Sequence, residues 1–153
     1  MGTAVFHLKA RFETEVTEEK LTEVRNFLIE ASKAYDYWQA NRGSTPGKFW
    51  PTFIKDYPLM TEFLKDNKRL EGDCNNGLSG LMGFGEEEDA KENLTRVAWR
   101  GEEDLITYHA EVWHFADWQP LCEFLKKKFG AVKAGWLSEE YAEEQDYSDQ
   151  IDV

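Results

Sequence analysis

The sequence predicts an α+β domain in which two helices cover one face of a four-stranded antiparallel sheet. Three observations lead there. Apolar and polar residues alternate from Val5 to Phe12, the period-two signature of a half-buried strand. Two β-type runs, LTRVAWR at Leu94 to Arg100 and LITYHAEVWH at Leu105 to His114, flank the turn Gly101-Glu102-Glu103-Asp104, as in a hairpin. Two segments with apolar residues at helical spacing follow the first strand and the hairpin, so each strand–helix–strand passage can return to the same sheet.

In chain order, the opening strand places Phe6, Leu8, Ala10 and Phe12 on one side and His7, Lys9 and Arg11 on the other. A helix begins at Thr17, with Glu18 and Glu19 in its first turn, where the helix dipole favours negative charge. Its buried stripe is Leu21, Val24, Phe27, Leu28 and Ala31, and it is expected to run to Tyr35 or Trp38. The stretch Asn41 to Gly47, with Gly43, Pro46 and Gly47, breaks it. A largely helical insertion then spans about 39–93. In it Pro58 divides the segment Pro51 to Asp66, whose buried positions are Phe53, Tyr57, Met60, Phe63 and Leu64. Five glycines lie between Gly72 and Gly85, with no Lys-Ser or Lys-Thr after them, which excludes a phosphate-binding P-loop and favours a loop. After the hairpin, Asp117 is read as the N-cap of a helix that buries Leu121, Phe124, Leu125 and Phe129. Gly130 stops that helix, and Ala131 to Leu137 forms the last strand. The series strand, helix, insertion, strand, strand, helix, strand is the ferredoxin-like βαββαβ arrangement. The domain is expected to cover 1–138, with 139–153 as an acidic C-terminal tail.

Composition narrows the functional classes. The chain has 153 residues, 18 Lys and Arg against 30 Asp and Glu, and a formal net charge of −12. Such acidity disfavours direct contact with nucleic acid or an anionic membrane, both of which need a basic face. Six Trp, ten Phe and six Tyr supply enough bulky apolar surface for a packed core. Cys74 and Cys122 lie 48 positions apart in unlike surroundings and are read as reduced thiols. The opening MGTAVFHLKARFETE lacks a basic segment followed by an apolar core, so a cytoplasmic location without a signal peptide is expected.

The charge is unevenly spread. Residues 1–70 carry 11 basic and 10 acidic side chains, whereas residues 71–153 carry 7 and 20. Three acidic blocks stand out as candidate partner-binding elements. They are Glu86, Glu87, Glu88 and Asp89; Glu102, Glu103 and Asp104; and the tail residues Glu139, Glu140, Glu143, Glu144 and Asp146, with Tyr141 and Tyr147 interleaved. Close in space, they would present a field of several kT to a basic partner. An exposed Trp beside one of them would be the natural anchor.

A second candidate is the sheet face turned away from the helices. The expected topology gathers His7, Lys9, Arg11, His109, Glu111 and Trp113 there. These could offer cationic and stacking contacts to a nucleotide or another small anionic ligand, with residues 77–85 as a lid. His7, His109 and Glu111 lack the fixed local spacing of a metal motif, and no metal or other cofactor is expected. No nucleophile or acid–base pair stands out, so an enzyme is not expected.

The stretch AWRGEEDLITYHAEVWHFADWQPLCEFLKKKFGAVKAGWLSEEYAEEQDY resembles the C-terminal half of small ferredoxin-like proteins carried by phages and plasmids. The hairpin, the helix opening near an aromatic–Pro pair, and the strand closing on Trp136, Ser138, Glu139 and Glu140 carry the likeness. The resemblance covers about a third of the chain and implies a mobile-element origin. Together with the charge it leads to an expectation: a non-enzymatic inhibitor of a basic, nucleic-acid-handling host defence protein, of the anti-CRISPR or anti-restriction type, acting by nucleic-acid mimicry.

Overall fold

The computed structural model describes residues 2–66, 78–113 and 116–139. Strand β1 (Thr3–Phe12) leads into helix α1 (Glu18–Asn41), and helices α2 (Pro46–Asp56), α3 (Pro58–Asp66), α4 (Leu78–Met82) and α5 (Glu87–Glu92) follow. Strands β2 (Thr95–Ala98) and β3 (Asp104–Trp113) form the hairpin, before helix α6 (Gln119–Phe129) and strand β4 (Lys133–Glu139). The chain is therefore α+β, with one four-stranded sheet in the order β2-β3-β1-β4. All three ladders are antiparallel, with Phe6 opposite Ala110 and Ser138, and Val97 opposite Leu105.

The alternation in β1 survives in full. Phe6, Leu8, Ala10 and Phe12 are buried and join Ile106, Tyr108, Ala110 and Val112 of β3 in the core. Helix α1 starts where the sequence places it. Thr17 is the N-cap and its Oγ1 accepts from Lys20 N at 3.1 Å, an arrangement worth about 1 kcal/mol. Its buried stripe of Leu21, Val24, Phe27, Leu28 and Ala31 is as expected and continues through Ala34 and Trp38. Phe27 packs against Phe63, Phe124 and Phe129, so one α1 side chain ties together the insertion and α6.

Several boundaries differ from the expectation, for local reasons. Pro46, read as part of a helix breaker, opens α2 instead: proline lacks the N–H that a first-turn position leaves unpaired, and its fixed φ suits a helix start. Pro58 acts in the same way for α3, which separates α2 from α3. Strand β2 is only four residues long, because the turn is longer than the sequence suggested: Trp99 N donates to Glu103 O, Glu103 N donates to Arg100 O, and Gly101 takes φ +58°. Asp117 is not the N-cap of α6; that position is Trp118, and Asp117, one residue earlier, accepts from Gln119 N at its Oδ1 at 3.1 Å. Gly130 ends α6 in the left-handed conformation, as read.

The Gly-rich segment is the larger surprise. Residues 72–77 lie outside the described residues, but Leu78, Leu81, Met82 and Phe84 are buried and Leu78–Met82 forms α4, so residues 78–85 are packed into the core rather than forming an open loop or a lid. Tyr108 donates its hydroxyl to Phe84 O, and burial pushes that phenol well above its usual range. Gly85 makes the approach possible. It has φ +108°, and a Cβ there would lie 2.5 Å from Tyr108 Oη and 2.7 Å from Ala110 Cβ, which forbids any side chain on two counts. No helix among the described residues is long and apolar enough to cross a membrane.

Candidate functional site

The sheet face turned away from the core gathers the residues the sequence assigned to it. His7 stands opposite His109, their rings stacked with centroids 5.8 Å apart. Glu111 and Trp113 continue along β3 on that side and are exposed. Lys9 faces Thr107 and is half-buried. The face differs from a solvated plane, because Leu105 and Leu137 on the same side are 4% and 7% exposed. Arg11 is not available to an anion in the way expected: its Nη1 pairs with Glu103 Oε1 at 3.1 Å. With Arg11 engaged and residues 78–85 packed in the core, the nucleotide-and-lid arrangement loses two of its parts. Among the described residues no group of three His, Cys, Asp or Glu is placed to hold a metal ion.

The acidic blocks have unequal fates. Asp104 is 4% exposed, accepting from Val16 N at 2.6 Å and from Arg96 Nε at 2.8 Å. It joins the loop before α1 to the hairpin and presents nothing outward, contrary to its reading as a partner-binding residue. Asp89 is likewise committed. Its carboxylate accepts from Glu86 N and from Asn93 Nδ2, within a capping box at the start of α5. Glu103 holds Arg11, and Glu87 faces Lys91 one turn along the helix at 3.5 Å. Glu86, Glu88 and Glu102 remain exposed. The tail residues Glu140, Tyr141, Glu143, Glu144, Asp146 and Tyr147 lie outside the described residues, and Glu139 is placed only as the last residue of β4.

The two described blocks also sit at opposite ends of the sheet. Glu102 and Glu103 belong to the turn before Asp104, whereas Glu86 lies beside Glu111 and Trp113. Asp104 and Glu111 are seven strand steps apart, roughly 24 Å at a strand's rise. That exceeds the screening length of about 8 Å at physiological salt, so these two blocks do not add up to one electrostatic surface.

At the Trp113 end there is a cleft that sequence reasoning did not assemble. It has a volume of about 290 Å³ and lies between the C-terminal half of α1, the Gly83–Gly85 turn and the facing ends of β1 and β3. Trp113 is 43% exposed at its mouth, with Tyr35 on the α1 side. Its charged lining among the described residues is Asp36, Glu86 and Glu111, with no Lys, Arg or His. Thr3 donates its hydroxyl to Glu111 Oε1, and Gln39 Nε2 donates to Tyr35 Oη at 3.1 Å, so a carboxylate and a ring are each held by a neighbour. Glu86, Glu111 and Trp113 were all candidates from the sequence, Glu86 in an acidic block and Glu111 with Trp113 on the sheet face. Asp36 and Tyr35 were missed: on α1 they are two polar positions of an ordinary amphipathic helix, and only the chain's return through Gly83 and Gly85 sets them opposite Trp113.

Comparison with family models, with curated proteins and with solved structures returns no match to this chain.

Proposed function

We propose that the chain is a non-enzymatic acidic binding protein whose partner is a basic, nucleic-acid-handling protein of a host cell's defences. In this reading it occupies the partner's nucleic-acid site from within the host cytoplasm and touches neither nucleic acid nor membrane itself. The frame is proposed to be ferredoxin-like; the order β2-β3-β1-β4 with three antiparallel ladders supports this, since each of the pairs β1/β2 and β3/β4 is split by an intervening strand.

One observation carries the functional reading: acidic side chains outnumber basic ones 30 to 18, and several of the basic ones are already paired within the chain. Arg11, Lys91, Arg96, Lys126, Lys127 and Lys128 each lie within 3.5 Å of a carboxylate of this same chain. What is left for a partner is predominantly negative, and at the Trp113 end it is joined to an exposed indole, the side chain most often found anchoring protein interfaces. Because the two described acidic runs lie far apart, the contact is assigned to the Trp113 end and not to a continuous phosphate-like row. Electrostatic steering would make association fast and strongly salt-dependent.

The test is competition. Purified basic defence proteins, CRISPR effectors and restriction complexes among them, are titrated with the chain at about 50 and 500 mM salt, with and without duplex DNA. The reading expects binding at low salt that DNA displaces. Partners that bind DNA and this chain simultaneously would rule out occupation of the nucleic-acid site, and no binding to any member of the set at low salt would count against the partner class.

A further inference from the structure

We infer that the cleft at the Trp113 end is a receptor for a single arginine side chain presented by a basic segment of the protein partner. This rests on the proposed binding of a basic protein and adds the position and the chemistry of its anchor.

The cleft's lining selects a cation first. Asp36, Glu86 and Glu111 contribute three carboxylates and the described lining contains no basic side chain. An anionic group entering it would meet like charge on three sides. A bare metal ion is disfavoured by the absence, among the described residues, of three ligating groups arranged around one point. An organic cation has no such requirement, since its charge is spread and its contacts are directional hydrogen bonds.

The aromatic walls then select the kind of cation. Trp113, exposed at 43%, and Tyr35 bound the cleft together with the carboxylates. A planar guanidinium can lie on an aromatic face while its edge donates to a carboxylate in parallel, a combination an ammonium cannot match. Glu111 suits the second role, because the Thr3 hydroxyl fixes one of its oxygens from the side and thereby orients the group. The space, about 290 Å³, at the low end of the range for ligand sites, has room for one long side chain. Gly83 and Gly85 complete the lining without adding a charged group.

The experiment uses the full chain, isotope-labelled so that the Trp113 indole N–H is followed by NMR, its resonance identified with Trp113→Phe. Three probes are titrated: an amidated Gly-Arg-Gly-Arg-Gly peptide, the same peptide with citrulline for arginine, and agmatine. The arginine peptide is expected to shift the Trp113 resonance saturably, and the citrulline peptide at least tenfold more weakly. Trp113→Ala, read on neighbouring backbone signals, and Glu111→Gln should each weaken the arginine peptide at least fivefold, whereas Glu102→Gln at the far end of the sheet should leave it within twofold. Equal binding of the citrulline peptide, or a Trp113 signal that does not respond, would overturn the inference. Agmatine binding as tightly as the peptide would replace the protein side chain with a free amine as the occupant. Should a basic defence protein bind wild type and Trp113→Ala equally, the cleft assignment fails while the proposed function stands. Should the arginine peptide bind as expected while no basic protein does, the proposed function fails and the cleft remains.

Discussion

The two ends of strand β3 hold similar side chains in opposite circumstances. At the hairpin end Asp104 and Glu103 face Arg96 and Arg11, at 2.8 and 3.1 Å, and the carboxylate of Asp104 is buried. At the other end Glu111 sits with Glu86 and Asp36 around a cleft whose described lining includes no base. The difference teaches that acidity in this sequence has two uses. Where an arginine or a backbone N–H closes on a carboxylate, the group is part of the fold, and its removal strands a donor. At the cleft, the exposed Glu111 accepts from the Thr3 hydroxyl and the exposed Glu86 belongs to the capping box of α5, and under the proposed function these are the carboxylates a partner meets.

The hairpin end should be the most fragile. Asp104→Ala leaves Val16 N–H and Arg96 without their acceptor in a buried setting, and a loss of about 3 kcal/mol is expected, measured by urea unfolding. A loss below about 1 kcal/mol would mean that Asp104 is no more structural than its neighbour Glu102.

The boundary of the cleft comes next. Gly85→Ala meets both a positive φ and contacts under 3 Å, so a destabilisation of about 2 kcal/mol or more is expected, with loss of the Tyr108–Phe84 hydrogen bond. Unchanged stability would show that the turn can move and that the cleft wall is not fixed.

Glu30 provides an internal carboxylate of a third kind. From α1 it accepts Met60 N–H at 2.6 Å, in the first turn of α3. Burial pushes its carboxyl above the ordinary range, although hydrogen bonds from Met60 and Leu59 pull the other way. Since the folded state holds this proton more tightly than the unfolded chain, the associated stability is present below the ordinary glutamate value. It is lost as pH rises through the raised one. Wild type should therefore lose stability relative to Glu30→Gln as pH goes from about 4 to 7. A difference that does not change with pH, or that runs the other way, would contradict the assignment.

The smallest effect on stability belongs to the cleft. Glu111→Gln should change unfolding free energy by no more than about 0.5 kcal/mol and Trp113→Ala, which removes a half-buried indole, by about 1 kcal/mol, while each weakens a basic partner about tenfold, ~1.4 kcal/mol. If these variants unfold as readily as Asp104→Ala, the comparison between the two ends collapses.

The sequence by itself determined the α+β class, the burial pattern of β1 and β3, and the stripes of α1 and α6. Each of these depends on a period of 2 or 3.6 residues, or on a local end signal such as Thr17 or Gly130, and such signals lie within a few residues of one another. It also placed Glu111, Trp113, His7 and His109 on one face, because strand alternation fixes side. Tertiary structure alone decided which acids remained outward. Asp104 and Glu102 are near-identical in sequence context, and only Arg96 and Val16, brought in from β2 and the loop before α1, make the first internal. Tertiary structure also decided that residues 78–85 are core, and that Tyr35 and Asp36 meet Trp113 across a cleft. The reason is the same in each case: charge and aromaticity are properties of residues, but whether a group is used by the fold or left for a partner depends on what distant segments bring within about 3 Å of it.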